Sequence, residues 1–166
     1  MKFEEYASPC GNLLLGVHGS SLCLCDWIIG DRIEKTLHRL KRFLPAQQCE
    51  DDLALIDVAR LQLDEYFAGN RLDFSVSVTA LGSEFQRRVW EVLPQIPYGR
   101  TASYKDIADR ISCSNGVRAV ASAIGANPLS ILIPCHRIIG SGGTLNGYAG
   151  GLEAKRYLLQ LEAKEL

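Results

Sequence analysis

The chain of 166 residues has room for one compact domain or two small ones, and its 47% apolar and 22% charged residues exclude wholesale disorder. No run approaches the ~20 apolar residues of a membrane span, and the acidic start Met1-Lys2-Phe3-Glu4-Glu5 has no hydrophobic signal core behind it, so a soluble cytoplasmic protein with no membrane partner is expected. A net charge of −1 argues against a surface coated for nucleic acid, yet residues 1 to 79 hold 8 Lys/Arg against 12 Asp/Glu while residues 80 to 166 hold 10 against 7, so a polyanion would meet the second half.

Three short strands are expected first, Lys2 to Ala7, Asn12 to Val17 and Leu22 to Ile28, split by Pro9-Cys10-Gly11 and Gly19-Ser20-Ser21 into an antiparallel meander. Ile33, Leu37, Leu40 and Leu44 then recur at helical spacing up to Pro45, and a longer helix spans about Asp52 to Ala68 with Gly69-Asn70 as its stop. Leu72 to Val78 alternates apolar with polar residues and reads as an extended connector between two parts, 1–79 and 80–166. Ser83-Glu84-Phe85-Gln86 is a capping box that opens a helix through Trp90 to Pro94. Ser103 can cap a short helix, Tyr104 to Arg110, and a polar break at 112–116 precedes a second, Val117 to Gly125. Two short helices around a small turn have the outline of a helix-turn-helix, a pattern that many helical hairpins share without binding anything. Ile131-Leu132-Ile133 suits a short buried strand. Leu152, Tyr157, Leu158 and Leu161 mark the inner face of a final helix.

Six cysteines, Cys10, Cys23, Cys25, Cys49, Cys113 and Cys135, would hint at disulfides in a secreted chain; without a signal peptide they read as mostly reduced, buried residues. Cys23 and Cys25 fall on one face of a strand, and His18 and His38 have no ligand spacing to them, so no metal is expected. The chemistry concentrates at Pro134-Cys135-His136-Arg137, where proline marks the end of an apolar run and delivers a thiol beside an imidazole. The thiolate is the nucleophile, and His136 with the basic Arg137 could favour it; the alternative is a buried cysteine with an incidental histidine. The six glycines from Gly140 to Gly151 lack the Gly-Lys-Ser/Thr ending of a phosphate loop and better suit a base pocket.

The string Ile131 to Gly140 followed by Gly147-Tyr148-Ala149-Gly150-Gly151-Leu152, together with Pro97-Tyr98-Gly99, Ser103-Tyr104, Arg118-Ala119-Val120 and Asn127-Pro128, closely resembles the O6-alkylguanine-DNA alkyltransferases, also called methylated-DNA-protein-cysteine methyltransferases. The resemblance runs from about Phe85 to Glu162. It implies an α/β (α+β) protein with a ribonuclease H-like sheet-plus-helix domain at 1–79 and a mainly helical, winged helix-turn-helix-like DNA-binding and alkyl-acceptor domain at 80–166. It further implies direct-reversal repair: Cys135 takes the alkyl group from O6-alkylguanine, with O4-alkylthymine a further candidate, as a thioether, so each molecule acts once and as a monomer, with no cofactor.

By the same resemblance His136 is the base that takes the thiol proton through a water molecule, Glu162 orients its imidazole, and Asn127 supports the turn carrying the cysteine. Arg118 enters double-stranded DNA from the minor groove and fills the gap left by a flipped base; Tyr104 helps rotate the target and Ser103 touches the backbone. Flipping is needed because a stacked base cannot reach a sulfur held on a rigid turn. The Ile138 carbonyl, Tyr148 and Ala149 would contact guanine, with Ala149 lacking the hydroxyl that the family often has there. Small residues at Gly116, Ala119, Ala121, Ser122 and Ala123 either let a helix approach a groove or pack against its neighbour. Two rivals remain: a Cys-His-Glu hydrolase that turns over, and a non-enzymatic lesion binder of the same fold, a class that lacks the cysteine present here.

Overall fold

The computed structural model describes residues 1–44 and 50–164. Strands β1 (Lys2–Ser8), β2 (Gly11–His18) and β3 (Ser21–Trp27) form the expected antiparallel meander in that order. Along β2, Leu13, Leu15 and Val17 alternate into the core. The register shifts so that Gly16 faces Leu24 and Val17 faces Leu22, which leaves Cys23 as the extra residue of a bulge. The alternation that would place Cys23 and Cys25 on one face is therefore broken, and only Cys25 joins the central core cluster.

Helix α1 (Arg32–Leu40) buries Thr36 and Leu40, one turn apart, and ends before Leu44; Pro45, its expected stop, lies outside the described residues, as does Cys49. Helix α2 (Ala54–Phe67) lays Ile56, Ala59, Leu63 and Tyr66 against the core. It stops at Gly69, where φ of +78° needs glycine. The connector is pinned by the buried Gln62, whose Oε1 accepts the Ser75 and Val76 amides at 3.0 and 3.1 Å. It is extended only at its end, where Leu22 donates to Ser77 O and accepts from Thr79 N on the edge of β3.

In the second half α3 (Glu84–Val92) opens on the predicted box of Ser83 and Gln86, and α4 (Tyr104–Arg110) on a second box of Ser103 and Asp106. Helix α5 (Val117–Gly125) turns Val120, Ala123 and Ile124 inward and leaves Arg118, Ala119 and Ser122 exposed, so its small residues serve both faces. Trp90 Nε1 donates to Ala123 O at 2.8 Å and ties α3 to α5. A two-residue parallel pair, β4 (Ala102–Ser103) with β5 (Ile138–Ile139), was not foreseen; it joins the start of α4 to the segment that follows the cysteine.

Two expectations are corrected. Ile131-Leu132-Ile133 is buried or half-buried but forms no strand: Ile131 has φ of +73°, and Ile133 N donates back to Leu129 O at 2.8 Å, making a tight turn. The preceding residues do the pairing instead, with Cys25 N donating to Pro128 O and Ser130 N donating to Cys25 O. In α6 (Leu152–Lys164) the inner face is Ala154, Lys155, Leu158 and Glu162, while Leu152 and Tyr157 are exposed. Two polar residues there face inward because each meets buried polar partners. One continuous core runs from Tyr6 on β1 through Tyr66 and Trp90 to Leu158 on α6. Among the described residues no helix is long and apolar enough to cross a membrane.

Candidate active site

Cys135, His136 and Arg137 occupy a single 3-10 turn between the Leu129–Ile133 turn and β5. The turn sends successive side chains in different directions, so the thiol and the imidazole need not compete for one face. Cys135 is 4% exposed. Its Sγ receives Asn127 Nδ2 at 3.1 Å; the same amide donates to Ile133 O at 2.9 Å while Asn127 Oδ1 accepts Leu129 N at 3.0 Å. Asn127 thus fixes both the turn and the sulfur. Burial pushes the Cys135 thiol up, and the Asn127 N–H, Arg32 and Lys155 pull the other way.

Arg137 was expected beside the thiol. It turns instead to Glu162, donating through Nε at 2.9 Å and Nη2 at 3.0 Å, with Nη1 on Ile96 O at 2.7 Å and the guanidinium over the Tyr98 ring. Glu162 Oε1 also meets His136 Nε2 at 2.7 Å and Tyr66 Oη at 2.8 Å, and Oε2 accepts Gly99 N at 3.3 Å. Burial opposes the carboxylate's charge, but the hydrogen bonds from His136 and Arg137 and the Arg137 charge outweigh it and hold Glu162 at about 2. An ionised carboxylate only accepts. His136 Nε2 therefore carries the ring proton, and Nδ1, buried and with no partner among the described residues, is the lone-pair nitrogen. Burial lowers the imidazole's own affinity for a second proton, with Glu162 opposing.

Above the thiol lies a cavity of about 40 Å3 lined by Tyr104, Ala121, Ile124, Gly125, Cys135, Gly147, Tyr148 and Ala149. It adjoins an open cleft of about 660 Å3 that shares Tyr104, Ala121 and Gly147 and adds Lys105, Arg118 and Asn146. Tyr104, Tyr148 and Ala149 are thus brought to the sulfur, and exposed Arg118 to the mouth of its approach. Ile138 and Ser103 line neither cavity; they lie on the paired strands β5 and β4, Ile138 opposite Ala102 and Ser103 opposite Ile139. The Ser103 hydroxyl already caps α4 by accepting Asp106 N at 3.1 Å. Tyr148 is braced by Trp27 of β3, edge-on at 6.0 Å, and a Cβ on Gly150 would lie 2.5 Å from the indole, which explains glycine there.

A family model described as the 6-O-methylguanine DNA methyltransferase DNA binding domain matches residues 84–164, and its ribonuclease-like domain matches residues 1–80. The chain belongs to that methyltransferase family. The Methylated-DNA--protein-cysteine methyltransferase of Mycobacterium bovis is 52% identical over 162 residues, 96% of this chain and 91% of its own. That of Methanosarcina barkeri is 40% identical and covers 100% and 99%. A crystal structure of the Mycobacterium tuberculosis O6-methylguanine methyltransferase superposes with a TM-score of 0.83 at 39% identity, covering 99% of this chain and 93% of that one. Another, of the same organism's protein in complex with DNA, gives 0.80 at 39% identity over 98% and 93%.

Sequence reasoning missed Tyr66, Gly99 and Lys155 as site residues. Lys155, 1% exposed, donates through Nζ to Ile138 O at 2.5 Å and to Asn146 O at 3.4 Å, closing the base of the glycine loop. Its only sequence signal is an inward-facing position on α6, one turn before Leu158. Cys10, Cys23, Cys25, Cys113 and Cys135 form no disulfide, and among the described residues no group of three or more His, Cys, Asp or Glu is arranged to hold a metal.

Proposed function

We propose that this protein repairs O6-alkylguanine in double-stranded DNA by moving the alkyl group irreversibly onto its own Cys135, as a methylated-DNA-protein-cysteine methyltransferase. The observation that carries the reading is a buried thiol held by Asn127 at the floor of a cavity, next to an imidazole whose free nitrogen is fixed by Glu162. The Sγ proton passes through a water molecule to His136 Nδ1, and Glu162 stabilises the resulting imidazolium. The thiolate attacks the saturated alkyl carbon, the S–C bond forms as the C–O6 bond breaks, the electron pair goes to guanine, and guanine takes up one proton from solvent as His136 returns the thiol's proton to solvent. A thioether is not hydrolysed under mild conditions, so the sulfur is spent after one transfer.

The cavity over Cys135 shares Tyr104, Ala121 and Gly147 with the wider cleft, so in this reading the flipped base enters by the cleft and brings its alkyl carbon to Sγ. Arg118, exposed at the start of α5, fills the stack from the minor groove; Tyr104 and Ser103 guide the phosphate and the base. The Ile138 carbonyl, Tyr148 and the Ala149 amide read the guanine. We divide the work between residues 1–79, which brace the site, and 80–166, which hold DNA and accept the alkyl group; the limits of the two family models support that division. The protein acts as a monomer in the cytoplasm, where a free nucleophilic thiol stays reduced.

The test is intact-mass analysis and peptide mapping after incubation with O6-methylguanine duplex. One added methylene per protein, on Cys135, is expected with one repaired base per molecule. A label on Cys113, or several repaired bases per protein, overturns the reading and favours a hydrolase.

A further inference from the structure

Glu162 lies where the two halves of the chain meet. Of the four residues that hydrogen-bond its carboxylate, His136, Arg137 and Gly99 come from the second half, and Tyr66, near the end of α2, comes from the first. Tyr66 is fully buried. Its ring is held edge-on by Tyr98 at 6.2 Å and by Phe67 at 5.3 Å, and tilted against Phe74 at 5.5 Å, so the direction of its hydroxyl is set by packing. Arg137 grips the carboxylate as a fork, one donor on each oxygen, which fixes its plane. The oxygen facing the imidazole, Oε1, is shared by His136, Tyr66 and Arg137 Nη2.

We propose that Tyr66 is a positioning residue for alkyl transfer: its hydroxyl holds Glu162 Oε1 against His136 Nε2, so the first half of the chain completes the proton-accepting group of the second. This rests on the function proposed above. Tyr66 can only donate to an ionised carboxylate, and burial, with Glu162 adding to it, keeps the phenol protonated. Without the hydroxyl, Oε1 keeps Arg137 Nη2 and His136 Nε2 but loses its donor from the first half of the chain, and its hold on the imidazole is weakened.

Tyr66→Phe keeps the ring and its aromatic neighbours and removes only the donor. Single-turnover alkyl transfer from O6-methylguanine duplex should slow about tenfold, the rate equivalent of about 1.4 kcal/mol in the barrier, with duplex affinity unchanged. In a His136→Asn background the same substitution should have no further effect, because the group it positions is gone. A residue that only braced the fold would slow both backgrounds by the same factor. The His136 Nε2 proton provides a second readout: with three histidines in the chain, its downfield resonance can be assigned by substitution and should shift in Tyr66→Phe. If the wild-type protein places no alkyl group on Cys135, the proposed function fails. If it does, and Tyr66→Phe transfers at the wild-type rate or loses equally in both backgrounds with the proton resonance unmoved, the assignment of Tyr66 alone is overturned.

Discussion

Asn127→Ala removes a side chain with three buried hydrogen bonds, and their worth can be counted from their partners. Ile133 O keeps a second donor, Cys135 N at 2.7 Å, so losing Asn127 Nδ2 does not orphan it. The Leu129 amide has Asn127 Oδ1 as its acceptor, and leaving it bare in the core costs ~1–3 kcal/mol, with about 1 kcal/mol more for the two donor bonds. The sum is about 2–4 kcal/mol, which for a chain of this size lowers the melting temperature by roughly 5–15 °C. The thiol suffers separately. The Asn127 N–H is the strongest influence pulling the Cys135 pKa down against burial, so its loss should cut the single-turnover rate at neutral pH by about tenfold or more. Thermal melting and rapid-quench alkyl transfer on the same preparation read the two effects. A melt within about 1 °C of wild type together with a wild-type rate would refute both the anchoring of the turn and the tuning of the sulfur.

Arg118→Ala should depress transfer from duplex DNA far more than transfer from free O6-benzylguanine, which needs no flipping; equal losses would move Arg118 from the stack to the fold. Gly150→Ala puts a methyl 2.5 Å from the Trp27 indole and should cost ~1–3 kcal/mol in urea titration, as overpacking does; an unchanged midpoint would mean that the glycine loop moves freely off β3. Stability should fall in acid in two stages. Burial depresses the His136 pKa, so unfolding takes up a proton once the pH drops below 6.5; Glu162, held at about 2 against 4.5 in a free side chain, gives up its stabilisation only between those values. His136→Asn should erase the first stage of a denaturation-midpoint profile, and a flat wild-type profile from pH 7 to 5 would contradict the buried neutral imidazole.

What could be read ahead of the structure was what depends on near neighbours. The Ser83–Gln86 box and the Ser103 cap are written within four residues, and the strands and helices around them form where that local chemistry puts them. Ile131 is different: its left-handed backbone follows from docking Pro128 and Ser130 on Cys25, about a hundred residues earlier. Three apolar residues in a row say only that they are buried. The inner face of α6 was misread because Lys155 and Glu162 are polar by type, and the partners that permit their burial, Ile138 O and Tyr66 among them, lie 17 and 96 residues away. Tyr66 itself reads locally as a core aromatic on an amphipathic helix, which it also is.

The carbonyls at the end of α5 show how that helix is held. Arg32 of α1 donates to Gly125 O and Asn127 O, and Arg39 donates to Ala126 O at 2.8 Å, while Arg32 is itself anchored on the buried Asp26. Helix α5 is therefore held at its C-terminal end by two arginines of α1 and along its length by its buried face and the Trp90 bond, with Arg118 in its first turn. The held end includes Asn127, whose carbonyl accepts from Arg32 and whose side-chain amide holds the Cys135 sulfur. If Arg118 meets DNA as proposed above, α5 joins that contact to the segment that holds the Cys135 sulfur, and substituting Arg32 or Arg39 of α1 should change the alkyl-transfer rate from duplex DNA.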